Sequence, residues 1–159
     1  MIDSKAVDIY VSIQDKDFDV NSEIERLTGK NKNIGAVVSF LGLCRDEAGT
    51  LKALELEHYP NMADKQIAKM ANNAAQYWEL DAVTVIHRYG LIGVGENIVL
   101  VITTSKHRTA AFQAANFIMD YLKTDAPFWK KEHKKDGSTG SWVEAKQDDR
   151  LKRDHWQNG

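Results

Sequence analysis

The chain predicts an α+β fold: a single domain in which a mixed, mostly antiparallel sheet carries two main helices. Three observations predict it. Only two segments, 62–79 and 105–123, hold apolar residues at helical spacing over about five turns. The remaining patterned segments are β-rich, and the element order is strand, short helix, hairpin, helix, strand, strand, helix, strands. The length of 159 residues with 43% hydrophobic content suits one domain with a substantial core.

Taken in order, residues 6–14 alternate as a strand. Residues 22–28 form a short helix, capped by Ser22 and stopped by Gly29. Residues 34–43, IGAVVSFLGL, form a buried strand. Residues 51–58, LKALELEH, alternate strictly, and with the 44–50 turn the two strands make a hairpin. The long helix 62–79 aligns Met62, Ile67, Met70, Ala74 and Trp78 on one face. Residues 82–87 form a strand. A loop punctuated by Gly90, Gly93 and Gly95 follows, then a central strand at 98–103. Ser105 caps the last long helix, whose apolar face is Ala111, Phe112, Ala115, Ile118, Met119 and Leu122. Short strands at 129–132 and 142–145 flank the polar loop 133–140. The domain is expected to span 1–145, with a charged tail over 146–159.

Composition excludes several function classes. A formal net charge of −2 argues against general nucleic-acid binding. Cys44 is the only cysteine, so neither an internal disulfide nor a thiolate metal site can form. No signal-peptide core and no apolar run near 18 residues is present. No metal-ligand spacing, dinucleotide fingerprint or phosphate loop occurs. The expected setting is cytoplasmic, with no metal, cofactor or membrane.

The most informative motif is Lys106-His107-Arg108 at a helix start. Helix N-termini carry partial positive charge, so acids are expected there and cations oppose stability. Cations beside free backbone N–H groups do suit one purpose, binding an anion such as phosphate. The same helix ends in Lys123, and Lys130 and Lys131 follow Pro127. Lys123 also complements the C-terminal dipole, a purely structural role. Lys130 and Lys131 after Phe128-Trp129 equally suit a solvated strand edge, and Arg45 an exposed turn. His107 and Lys123 are separated by sixteen residues, about 24 Å and roughly 160° around the axis. If both serve one small ligand, the site is shared between two copies of the chain.

Larger runs carry a resemblance. They are Phe40-Leu41-Gly42-Leu43-Cys44-Arg45, Leu54 through Met62, Val85 through Gly90, Gly95-Glu96, and Ser105 through Arg108 with Ala111-Phe112. Met119-Asp120-Tyr121-Leu122-Lys123, Ala126 through Glu132, and Trp142-Val143 complete the pattern. Across residues 34–145 the chain resembles the large, catalytic subunit of molybdopterin synthase, which implies an α/β-hammerhead-like fold. That family converts cyclic pyranopterin monophosphate to molybdopterin. It installs two sulfurs as a dithiolene and opens the cyclic phosphate. The sulfur comes from a thiocarboxylate at the Gly-Gly C-terminus of a small ubiquitin-like sulfur-carrier subunit. The resemblance implies a sulfurtransferase and a heterotetramer, a central homodimer of this chain with one small subunit at each end.

Carried over residue by residue, the resemblance makes Lys123 and Lys130 catalytic, with Lys123 beside the thiocarboxylate. It places Arg45, His107 and Arg108 on the phosphorylated pterin substrate, the last two supplied by the other protomer. Phe40 and Met119 line the pocket. Phe128-Trp129 and the 142–145 strand are candidates for the groove that takes the small subunit's tail. Cys44 stands where the family commonly has an apolar residue, loop 133–141 is unusually Lys-rich, and the first 30 residues match weakly. The alternatives are a non-enzymatic binding protein for a phosphorylated metabolite, using 105–108 alone, and an inactive interaction subunit.

Overall fold

The computed structural model describes residues 6–144 of the chain. The elements run β1 (Asp8–Gln14), α1 (Val20–Lys30), β2 (Ala36–Leu43), β3 (Leu51–His58), α2 (Met62–Tyr77), β4 (Ala82–Arg88), β5 (Gly90–Gly93), β6 (Asn97–Ser105), α3 (Arg108–Thr124) and β7 (Phe128–Lys134). The architecture is α+β, as the sequence predicts. Strands form a four-stranded sheet, β1-β4-β6-β2, and a three-stranded sheet, β5-β3-β7. Among the described strands only the β1–β4 pair is parallel.

β4 and β6 lie in the middle of the larger sheet and are buried on both faces, so their sequences are nearly continuous apolar runs. Val83, Val85, Val99 and Val101 face α2 and α3. Ile86, Leu100 and Ile102 face α1 through Leu27, with Phe18, Val20 and Ile24 beside them. The small residues Ala71, Ala74, Ala75, Ala114 and Ala115 are all buried and let the two long helices pack closely. A separate cluster of Cys44, Leu51, Leu56 and Ile92 holds the smaller sheet together.

Several local expectations are corrected. Residues 34–43 and 51–58 do form strands, but the first is not buried, because it lies at the edge of its sheet with Val37, Phe40, Leu41 and Leu43 exposed, and the two make no hairpin: β2 pairs with β6, while β3 pairs with β5 and β7. The chain changes sheets at Cys44, whose N–H donates to the Glu96 carbonyl (2.9 Å) and whose carbonyl accepts from Gly95 N–H (2.7 Å). Gly95 takes φ +87°, the conformation this tight turn requires of a glycine. The expected 88–95 loop contains β5, too short at four residues to show periodicity.

Helix α1 is capped by Asp19, which accepts from Ser22 N–H at 2.8 Å, and it runs through Gly29. In α2 the buried face is Ala63, Ile67, Ala71 and Ala74, so the helix is rotated from the expected phase and Met62 is exposed. Ser105 does not cap α3. It is held extended opposite Ala36 in the sheet, and His107 takes the cap position without a side-chain bond. The expected 142–145 strand reduces to an isolated bridge between Lys130 and Val143. The tail expected over 146–159 lies outside the described residues. No helix among them is long and apolar enough to cross a membrane.

Candidate active site

A cavity of about 560 Å³ opens where the two sheets meet the C-terminal end of α3. The end of β2 supplies Phe40, Leu43 and, just beyond it, Arg45. α3 supplies Met119 and Lys123, one turn apart on the same side, and β7 supplies Phe128, Trp129 and Lys130. The smaller sheet provides a floor of Leu51, Leu54 and Leu56. The structure thus brings five of the seven predicted site residues, Phe40, Arg45, Met119, Lys123 and Lys130, to one cavity. His107 and Arg108 do not reach it. They sit at the opposite end of the 17-residue helix α3, about 25 Å away at the normal helical rise.

The site mixes apolar walls with charge of both signs. Arg45 and Lys123 are exposed, and Lys130 is half-buried. Arg45 pairs with Glu47 at 3.0 Å, and Glu132 and Glu144 also line the cavity. Glu144 accepts from the Trp129 indole at 3.1 Å, while Tyr59 packs edge-on against the same ring at 4.7 Å. Lys130 exchanges backbone bonds with Val143 (3.0 and 2.8 Å), which fixes the strand that carries it. The Lys-rich loop has a structural use: Lys135 Nζ donates to Asp46 (2.9 Å) and to the Gly49 carbonyl (2.9 Å). Together with the Leu51 N–H, that lysine holds the Asp46 carboxyl below the usual carboxylate range and ties down the turn bearing Arg45.

Cys44 is buried, and desolvation pushes its thiol pKa up, so the thiol lacks the character of a nucleophile. Among the described residues no group of three His, Cys, Asp or Glu side chains is placed to hold a metal ion.

His87, near the end of β4, is a further cavity residue that is not among the seven predicted ones. It is buried in the cavity wall, stacked on Phe128 with ring centroids 3.9 Å apart. Its Nδ1 donates to the Arg88 carbonyl at 2.9 Å, so Nε2 carries the lone pair. Burial lowers its pKa to about 4, with the nearby His58 adding to the shift. The only signal in the sequence is a histidine ending an otherwise apolar strand.

One consequence is measurable. The folded pKa lies below the unfolded value of 6.5, so the unfolded chain binds more protons between those limits. Stability should therefore fall as pH drops from about 6.5 toward 4, by on the order of 3 kcal/mol from this group. Denaturant unfolding across that range should show the slope, and His87→Gln should flatten it.

An apolar-walled cavity with Arg45, Lys123 and Lys130 at the junction of two sheets defines an α+β domain with a pocket of small-molecule size. The comparisons make the class particular. The family model described as MoaE protein matches residues 13–125. The chain is 60% identical over 148 residues to the molybdopterin synthase catalytic subunit of Mesorhizobium japonicum, covering 93% of each chain. Its fold matches the molybdopterin biosynthesis MoaE protein of Burkholderia ambifaria with a TM-score of 0.81 at 41% identity, over 94% of this chain and 98% of that one. It also matches the crystal structure of molybdopterin synthase from Staphylococcus aureus with a TM-score of 0.75 at 28% identity, over 83% and 95%. The chain belongs to the MoaE family.

Proposed function

We infer that this chain is the catalytic subunit of a molybdopterin synthase, transferring two sulfurs from a thiocarboxylated small subunit onto cyclic pyranopterin monophosphate. The observation that carries the reading is the convergence of Arg45, Lys123 and Lys130 on one cavity, in a chain of the MoaE family.

The residue types suit the chemistry. The substrate carries a phosphate, and sulfur transfer develops negative charge on oxygen and sulfur. Positioned cations offset that charge best where apolar walls exclude water. Lys123, at the cavity mouth, orients the incoming thiocarboxylate and exchanges protons with the reacting atoms. Lys130 and Arg45 hold the substrate, and Phe40 and Met119 pack on its ring system. The small subunit's extended tail enters past Phe128 and Trp129. His107 and Arg108 of a second copy bind the substrate phosphate and complete the site, which makes a homodimer the working unit, with one small subunit on each protomer.

The test is conversion of cyclic pyranopterin monophosphate by this chain mixed with a thiocarboxylated small subunit, with product detected as its oxidised fluorescent derivative. Product that requires both proteins supports the reading. Tight substrate binding without product would favour a non-enzymatic binder of a phosphorylated metabolite.

A further inference from the structure

We propose that His87 is a substrate-binding residue: its Nε2 accepts a hydrogen bond from a ring N–H of the pterin and fixes how that ring lies in the cavity. The inference rests on the synthase reading above and adds to it one residue and one orientation.

The fold sets His87 in the inner wall. Gly42, Val99 and His87 are register partners across β2, β6 and β4, so they share a face, and all three line the cavity. Phe128 covers the imidazole from β7, with the two rings only 19° from parallel. Lys130, two residues further along β7, lies on the same face of that strand, about 7 Å away.

The contacts of the imidazole leave one atom over. Its face is taken by Phe128, and its Nδ1–H donates to the Arg88 carbonyl at 2.9 Å. Nε2 has no hydrogen-bond partner among the described residues, yet it is not sealed from solvent as Nδ1 of His58 is. The residue is 8% exposed, and the cavity that it lines gives it that exposure. The stack and the Nδ1 bond together hold the ring against rotation, so the lone pair has a fixed direction before any ligand arrives. Leaving such an atom unpaired is costly, and native structures seldom keep one without a use. A phenyl ring would stack on Phe128 as well and would suit the apolar run of β4. The imidazole adds an acceptor.

Chemistry selects the partner of that acceptor. Burial holds the His87 pKa at about 4, so the ring is uncharged at neutral pH. An uncharged Nε2 offers no hydrogen to a phosphate or a thiocarboxylate and needs an N–H or O–H donor. The cavity's other side chains do not duplicate it. Arg45, Lys123 and Lys130 only donate. The carboxylates are already engaged: Glu47 by Arg45 (3.0 Å), Glu132 by Lys134 (2.8 Å) and Glu144 by the Trp129 indole (3.1 Å). A pterin carries ring N–H donors in its plane, at the end remote from the phosphate. The ring therefore lodges inward against His87 and Phe128, and the phosphate stays outward with the exposed cations. A few fixed polar groups in an otherwise apolar pocket are what orient a small ligand.

The test measures equilibrium binding of cyclic pyranopterin monophosphate to the full-length chain without the small subunit, so that no chemistry intervenes. His87→Phe keeps a ring against Phe128 and loses the lone pair. It should bind the substrate about tenfold more weakly, the loss of one hydrogen bond. His87→Gln returns an acceptor near the same place and should recover affinity to within about threefold of wild type. Inorganic phosphate should bind all three proteins equally. Imidazole ¹⁵N spectra of the wild type cover the case in which a variant fails to fold: the unprotonated nitrogen of His87 should shift when substrate is added and stay in place when phosphate is added.

His87→Phe that binds substrate as wild type does, His87→Gln as weak as His87→Phe, or a His87 nitrogen indifferent to substrate would overturn the assignment. Any of these beside normal turnover with the small subunit would leave the synthase reading standing. Substrate binding that depends on the His87 acceptor, with no product in the presence of the small subunit, would do the reverse. A wild-type chain that does not bind the substrate would remove both.

Discussion

Lys123→Ala is expected to lower single-turnover product formation by about 10²–10³-fold, the loss typical of removing one preorganised charge-stabilising group. The fold should hardly register the change. Lys123 is exposed in the last turn of α3, where its structural worth is the helix-end charge, about 0.3–1 kcal/mol. Substrate affinity should also survive, because Arg45 and Lys130 remain at the cavity. The combination of unchanged folding, near-normal binding and collapsed turnover separates a group at the chemistry from one that only anchors the ligand. Lys123→Arg should recover little, since guanidinium does not give up its proton near neutral pH. Turnover of Lys123→Ala within tenfold of wild type would remove the lysine from the mechanism.

Gly35→Ala is expected to be the most damaging single-methyl change near the site. A Cβ at Gly35 would lie 2.1 Å from the Lys106 carbonyl oxygen and 3.1 Å from its carbon, both backbone atoms that cannot rotate away. The Gly35 N–H also donates to the Ser105 carbonyl at 3.0 Å, so the two segments are pinned together. Overpacking of this kind costs about 1–3 kcal/mol and sometimes more. The strain falls on the segment carrying His107 and Arg108, so turnover should drop together with thermal stability. Gly29→Ala is the contrasting change. Nothing lies within 4 Å of the added methyl, and the residue sits inside α1. It should raise stability by about 0.5–1 kcal/mol and leave turnover untouched. Thermal denaturation of the two variants beside wild type checks both signs.

What the sequence disclosed, and what it did not, follows the range of each physical signal. α3 was legible because its apolar stripe repeats locally, and β4 and β6 because burial on both faces leaves unbroken apolar runs. The partners of β2 and β3 were not. A short connection between two β-rich runs looks like a hairpin from either end. Only distant backbone groups, those of Gly95 and Glu96 binding Cys44, send the strands to different sheets. Helix boundaries slipped where capping is read one residue at a time: Asp19 and Ser22 are both good caps, and the structure uses the first.

The candidate site divides the same way. Lys106-His107-Arg108 stood out because cations oppose the dipole at a helix start. Helix length alone said that this triplet and Lys123 cannot share a site within one chain. Residue types gave no hint that His87 would stack on Phe128, since 41 positions of chain and three elements separate them. The acids among the cations, Glu47, Glu132 and Glu144, were equally hidden.

The central claim is that sulfur passes from the small subunit's thiocarboxylate to the pterin in the cavity formed by this chain. The most direct measurement loads the small subunit with a heavy sulfur isotope and determines the isotope content of the product by mass spectrometry, with wild-type chain and excess substrate. The expected result is molybdopterin with both dithiolene sulfurs labelled and two small subunits consumed per product. Substrate bound but unchanged, or product whose sulfur carries no label, would contradict it.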